Sequence, residues 1–208
     1  MHAKILALAA AAAAALPSAA FALPATVLTD VALRTGPGPA YPIIGTIDRQ
    51  AIVEVEGCVD AATWCQVSWN GRTGWTYATY LAHETQGRVV VLPEARPQVQ
   101  VPTIVYQEQR ASTVASSAPI IVGDPIVGPS IGTLKVGTVI QPPAEVQTYV
   151  TTHRIEPVYL NGEVVVGATL PSSVVVHDIP EYRYRYTTVN GQTVLVEPGT
   201  NRIVHVYR

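Results

Sequence analysis

Apolar and polar positions alternate with a period of two through much of residues 26–82. Val53 and Val55 alternate with Glu54 and Glu56, the pattern of a strand with one face buried and the other in water. Further along, Trp64–Trp69 and Arg72–Tyr77 flank Asn70-Gly71, the dipeptide best suited to the positive φ angles of a type I′ hairpin turn. Strand parity puts Cys65, Val67 and Trp69 on one face and Trp64, Gln66 and Ser68 on the other. With Val67 pointing inward, Trp64 faces outward. The same reading predicts strands at Val27–Leu33, Ile43–Ile47 and Ala51–Glu56, with Tyr80-Leu81 closing the unit. Thr35–Pro42 reads as a loop stiffened by proline and turned by glycine. Short strands packed so closely predict a small barrel, which removes its exposed edges by closing on itself.

Beyond this unit the pattern weakens. Residues 83–130 carry recurrent proline (Pro93, Pro97, Pro102, Pro119, Pro125, Pro129), a small-residue tract at Ala111–Ala118 and Tyr106 as the one aromatic. They read as an extended linker, although the valines and isoleucines leave room for added strands or partner contacts. Residues 131–208 read as a carboxy-terminal β-domain. Its clearest part is a meander of Tyr182–Val189, Gln192–Glu197 and Arg202–Tyr207, with Tyr182, Tyr184 and Tyr186 on one face and Arg183 and Arg185 on the other. Gly132–Gly137, Gly162–Gly167 and Gly191–Val196 recur at spacings of thirty and twenty-nine residues, with Asn-Gly at 161–162 and 190–191. Three hairpin-like units and chance recurrence in a Val- and Gly-rich chain both account for that. No stretch after the amino terminus shows helical periodicity, so the predicted class is all-β.

The first 22 residues have another purpose. Lys4 gives a short basic start, Ile5–Leu16 is unbroken apolar, Pro17 interrupts it, and Ala20-Phe21-Ala22 is a cleavage triplet. This is the layout of a Sec-type signal peptide cut after Ala22, which places the mature protein in the periplasm or outside the cell. The run is too short for a hydrocarbon core, which needs ~20 residues. Losing Lys4 moves the formal charge from −2 to −3 and leaves Lys135 the sole lysine. A weakly acidic surface argues against nucleic acid, whose phosphates call for clustered Lys and Arg. Cys58 and Cys65 are the only cysteines. One ends the Val53/Val55 strand and the other sits in the next strand, within reach of each other across an antiparallel pair. An exported chain with an even pair predicts a disulfide.

The strings A-L-R-T-G-P-G-P-A-Y-P-I-I-G-T-I, V-E-V-E-G-C and W-C-Q-V-S-W-N-G-R-T-G-W-T-Y-A-T-Y-L together resemble the bacterial SH3-like (SH3b) domain of cell-envelope proteins across residues 26–82. One departure is Ala32, where many relatives carry Asn. The resemblance implies a five- to seven-stranded barrel that binds peptides or peptidoglycan, with Trp75 and Leu81 in its core. The tail V-N-G-Q-T-V-L-V-E-P-G-T-N-R-I-V is similar to domain-of-unknown-function family 1236, which implies architecture and no chemistry.

Catalytic patterns are weak. Serine elbows, H-E-x-x-H helices and phosphate-cradling glycine loops do not occur, and the histidines lack ligand spacing, so neither metal nor cofactor is expected. His177-Asp178 reads as a surface pair. Glu54, Glu56 and Asp60 offer carboxylates for glycoside cleavage, but the two glutamates alternate with valines as a solvated face does. The expectation is a non-enzymatic binding protein. Its candidate groove comprises Tyr41 and Trp64, for which plain packing is the competing role, with Tyr77 and Tyr80 assignable either to it or to the core. The expected partner is peptidoglycan or an envelope peptide or protein. The alternative is a protein–protein adaptor or assembly subunit of the periplasm, with both β-units pairing edges with partner chains. The Tyr and Arg side chains of Tyr182–Tyr186 suit such an interface, with an ordinary two-faced strand as their competing role.

Overall fold

The structure, a computed structural model, describes residues 22–59, 63–107, 124–129 and 140–208. The expected export signal therefore lies outside the described residues except for Ala22, as do Asp60 and the first repeat copy at 132–137.

The chain is dominated by antiparallel β-structure. Strands β1 (Leu23–Val27), β2 (Val31–Arg34), β3 (Ile43–Ile47), β4 (Ile52–Cys58), β5 (Trp64–Trp69), β6 (Arg72–Tyr77), β7 (Leu81–Thr85) and β8 (Arg88–Val91) form one sheet in the order β3-β2-β6-β5-β4-β1-β7-β8. Along β4, Val53 and Val55 are buried while Ile52 and Glu54 are exposed, and β1 alternates likewise. Asn70 and Gly71 take φ of 48° and 73°, the expected type I′ turn. Cys58 and Cys65 face each other across β4 and β5 and are joined as a disulfide.

Three expectations need correction. The stretch Val27–Leu33 is not one strand: Leu28–Asp30 bends between β1, which pairs with β4 and β7, and β2, which pairs with β3 and β6. The polar Thr29-Asp30 interrupts the alternation, and the Asp30 carboxylate accepts the Arg49 N–H at 2.8 Å, tying the bend to the chain between β3 and β4. Second, residues 83–107 are not a linker. Gln86 and Gly87 (φ 53° and 72°) turn β7 into β8, a hairpin without the Asn-Gly signature. Helix α1 (Leu92–Ala95) begins with Pro93 in its first turn, where proline costs no hydrogen bond, and residues 101–106 then run extended along the barrel.

The third correction is helical. Helix α2 (Ala144–Thr152) buries Val146 and Val150, one turn apart, and follows Pro142-Pro143. Two apolar contacts and three threonines gave no helical signal. Thr148, Thr151 and Thr152 satisfy their hydroxyls on backbone carbonyls one turn back, at 2.9–3.0 Å.

The carboxy-terminal sheet runs β12 (Arg202–Val206), β11 (Gln192–Glu197), β10 (Arg185–Val189), β9 (His177–Asp178). The three-stranded meander is present, but its first strand starts at Arg185 because Ile179–Glu181 turns the chain, with Glu181 at φ 57°. Asn190-Gly191 forms the hairpin (φ 51° and 77°). The second repeat copy is no hairpin: Gly162–Gly167 runs without strand pairing, and Val164 and Val165 are both buried, which breaks a period of two. One apolar core extends from Val27, Leu33 and Val67 to Leu160, Val164, Val196 and Ile203, so the barrel and the carboxy-terminal sheet share it. A second cluster packs Tyr184, Tyr186 and Leu195 against Val146 and Val150 of α2.

Candidate binding groove

The β5–β6 hairpin sets the geometry. Its register pairs Trp64 with Tyr77 and Gln66 with Trp75, while Cys65 and Val67 face the core. The outer face therefore carries Trp64, Trp75 and Tyr77, as parity predicted for Trp64. That face is covered rather than bare: Trp64 is 6% exposed and Trp75 3%. Trp64 meets Tyr77 edge-on with ring centroids 5.4 Å apart. Trp75 meets Tyr106 edge-on at 5.3 Å, and Tyr106 meets Tyr41 at 5.8 Å. Edge-to-face pairs at these separations contribute beyond their buried area. Trp75 is thus buried as expected, but beneath Tyr106 on the outer face; Leu81 lies in the core.

Tyr41 is delivered by the loop after β2, and Arg34 shapes that loop. Arg34 is 1% exposed; its Nη1 donates to the carbonyls of Pro39 and Tyr41, both at 2.9 Å. Gly36 makes the loop possible, since a Cβ there would lie 2.4 Å from the Tyr41 ring and 2.8 Å from the Tyr106 hydroxyl.

Tyr41 and Trp64 come together as walls of one concave groove of about 700 Å³, with Pro37, Val59, Thr63 and residues 103–106 completing it. Tyr77 and Tyr80 are not part of it. They line a separate pocket of about 250 Å³ with Ile126, Pro129, Gly162 and Glu163. The four candidate residues therefore fall into two sites joined by the Trp64–Tyr77 contact. Sequence reasoning missed Ile104 and Tyr106 as groove residues, and also Arg34. A signal for Tyr106 existed: a lone aromatic two residues after Ile104 in an otherwise aliphatic, proline-rich stretch. Of the other candidates, Glu54 is solvated, and Asp178 pairs on the surface with Arg185 at 2.7 Å.

Glu163 is the unusual charge. It is 2% exposed; one carboxylate oxygen accepts the Ala32 N–H at 3.4 Å, and the other has no protein partner. Burial holds its carboxyl above the usual range, while Arg34 and the N–H groups of Ala32 and Val164 pull it back. Burial and the Glu163 charge together push the Tyr77 and Tyr80 phenols up. Because the folded state keeps the Glu163 proton to higher pH than the unfolded chain, its contribution is complete below the unfolded value and is lost as pH rises through the folded one. Stability is expected to fall as pH climbs above the ordinary carboxylate range, and Glu163→Gln should flatten that fall. Thermal midpoints of both proteins across pH check this; parallel profiles would contradict it.

Comparison with known families agrees with this geometry. Residues 29–82, the barrel that carries Tyr41 and Trp64, match the family model of the bacterial SH3 domain. Residues 149–208 match the Domain of unknown function (DUF1236), which takes in the end of α2 and the whole carboxy-terminal sheet. No curated protein matches the chain. A bacterial SH3 domain points to a binding module.

Proposed function

We propose that the chain is an exported, non-enzymatic binding protein whose SH3 groove holds extended peptides in the cell envelope, the peptide stems of peptidoglycan among them. The observation that carries this is the groove itself: Tyr41 and Trp64 give aromatic walls, and Thr63 gives a polar point at its rim. Few polar groups on an aromatic wall suit extended backbone, which supplies its own donors and acceptors. Export is supported by the Cys58–Cys65 disulfide, by the signal-like start, and by β1 opening at Leu23, directly after the expected cleavage point. No helix of the described residues is long and apolar enough to cross a membrane.

Part of the tyrosine row that the adaptor alternative would use is covered. Tyr184 and Tyr186 are 9% and 5% exposed under α2, and the Tyr186 hydroxyl donates to the His153 carbonyl at 2.9 Å.

Co-sedimentation with purified peptidoglycan sacculi tests the proposal. The oxidised protein is expected to be retained. Tyr41→Ala should weaken retention about tenfold or more, as loss of a central aromatic anchor does, and Thr63→Arg, an exposed rim position, should block it with the fold intact. Retention no greater than that of an unrelated β-protein would overturn the proposal.

A further inference from the structure

Residues 101–106 treat the barrel as a peptide ligand would. Thr103 bridges Cys58 in parallel; the Cys58 N–H donates to the Pro102 carbonyl at 2.9 Å, and the Ile104 N–H donates to the Cys58 carbonyl at 2.8 Å. They occupy the edge of β4 that β1 leaves open, because β1 pairs with β4 only from Ile52 to Val55. Side chains alternate as on an added strand: Ile104 and Tyr106 turn toward the barrel, while Thr103 and Val105 face solvent, Val105 at 81% exposure. The barrel is shaped to receive them. Gly57 sits at a bulge in β4, where a Cβ would fall 2.7 Å from the Ile104 side chain and 2.9 Å from the Pro102 carbonyl. Gly36 admits the Tyr106 hydroxyl. Arg96 anchors the start of the segment, donating to the Thr103 hydroxyl at 2.7 Å.

We infer that residues 101–106 are a built-in competitor for the groove, and that the ligand which displaces them is an extended protein segment carrying a bulky aliphatic residue and, two positions later, an aromatic one. The inference rests on the groove being a peptide site. The aromatic surface runs from Tyr41 over Trp75 to Trp64; the segment's Tyr106 fills the half between Tyr41 and Trp75, and the open groove is the remaining half. An outside ligand taking the whole surface must pair with Cys58 and seat its aromatic ring where Tyr106 sits. Strand addition gives affinity through backbone bonds and specificity through alternate side chains, which is what Cys58 and the Ile104/Tyr106 sites provide. A tethered segment competes at an effective concentration near the millimolar range. The apparent affinity for an outside peptide is then reduced by the fraction of molecules whose segment is out.

The test uses the full oxidised chain and a capped heptapeptide of residues 101–107, Val-Pro-Thr-Ile-Val-Tyr-Gln, with tryptophan fluorescence as readout. Tyr106→Ala is expected to bind the heptapeptide at least tenfold more tightly than the unaltered protein, and a scrambled peptide no better. Ile104→Ser serves as a second release variant. Adding Gly57→Ala to Tyr106→Ala should abolish the gain, because the new Cβ obstructs the incoming Ile and Pro carbonyl as it would the resident ones. Equal or weaker binding by both release variants, with their circular dichroism unchanged, would mean that the segment is a wall of the site rather than a competitor, and would overturn the inference. Retention of the unaltered protein on sacculi is read separately. Sacculus binding with no heptapeptide gain removes the competitor and spares the groove; a gain without sacculus binding supports the competitor and directs the groove to protein segments.

Discussion

Replacing Arg34 with methionine is expected to cost about 3 kcal/mol or more of folding stability, because it strands three backbone carbonyls and a buried acceptor left without its donor costs ~1–3 kcal/mol. The guanidinium joins three parts of the molecule. It leaves β2 of the barrel, holds the Tyr41 loop through the Pro39 and Tyr41 carbonyls, and donates through Nη2 to the Asn190 carbonyl at 3.0 Å in the β10–β11 turn. Methionine fills similar space but strands those buried carbonyls, and it leaves the Glu163 carboxylate without the cation that draws its proton affinity down. Adding Glu163→Gln should therefore recover part of the loss, and the two changes should be non-additive by more than about 0.5 kcal/mol. Urea unfolding of the single and double variants measures this. Strict additivity would mean that Arg34 and Glu163 do not act on each other. Because Arg34 sets the Tyr41 loop, the same variant should also lose peptide binding at temperatures where it is still folded.

The second large effect is expected from the disulfide. Cys58 and Cys65 are seven residues apart, and closing so short a loop stabilises by roughly 2–3 kcal/mol on chain-entropy reasoning. For a chain of this size that corresponds to a fall of about 5–10 °C in thermal midpoint on reduction, with a Cys58→Ser/Cys65→Ser variant showing the lower value and no further response to reductant. The consequence is also local. Cys58 supplies both backbone bonds to residues 102 and 104, so reduction should raise amide exchange there before it affects β10–β12. An unchanged midpoint, with both thiols shown to be free, would contradict this.

How much of this was legible beforehand follows from where the signals lie. The β5–β6 hairpin was readable because Asn70-Gly71 fixes a turn type and parity then fixes each side chain's face; it gave the correct faces for Trp64, Cys65 and Val67. Parity cannot say whether an outward face is wet. Trp64 is buried with Tyr77 packed edge-on against it, and the neighbouring Trp75 lies under Tyr106 from a later segment, a tertiary event. The hairpin of β7 and β8 was missed because Gln86-Gly87 adopts the same turn as Asn-Gly without the side chain that advertises it. Helix α2 was missed because its threonines favour strands and only Val146 and Val150 mark its buried side. Prolines misled as well: Pro93 starts a helix, and Pro102 leads a strand-like segment along the barrel edge. Beside the shared apolar core, Arg34, Asn190 and Glu163 bridge barrel and tail by hydrogen bonds. Each is polar and would be placed on the surface by composition alone, and their pairing spans more than a hundred residues.

The central claim is that the groove between Tyr41 and Trp64 holds extended peptide. Its most direct test is a backbone and indole NMR titration of the oxidised full chain with soluble stem peptides released from peptidoglycan. The account predicts concentration-dependent shifts confined to Tyr41, Val59, Thr63, Trp64 and residues 103–106, with β10–β12 unmoved. Shifts that bypass those residues and gather on the carboxy-terminal sheet, or none at millimolar peptide, would contradict it.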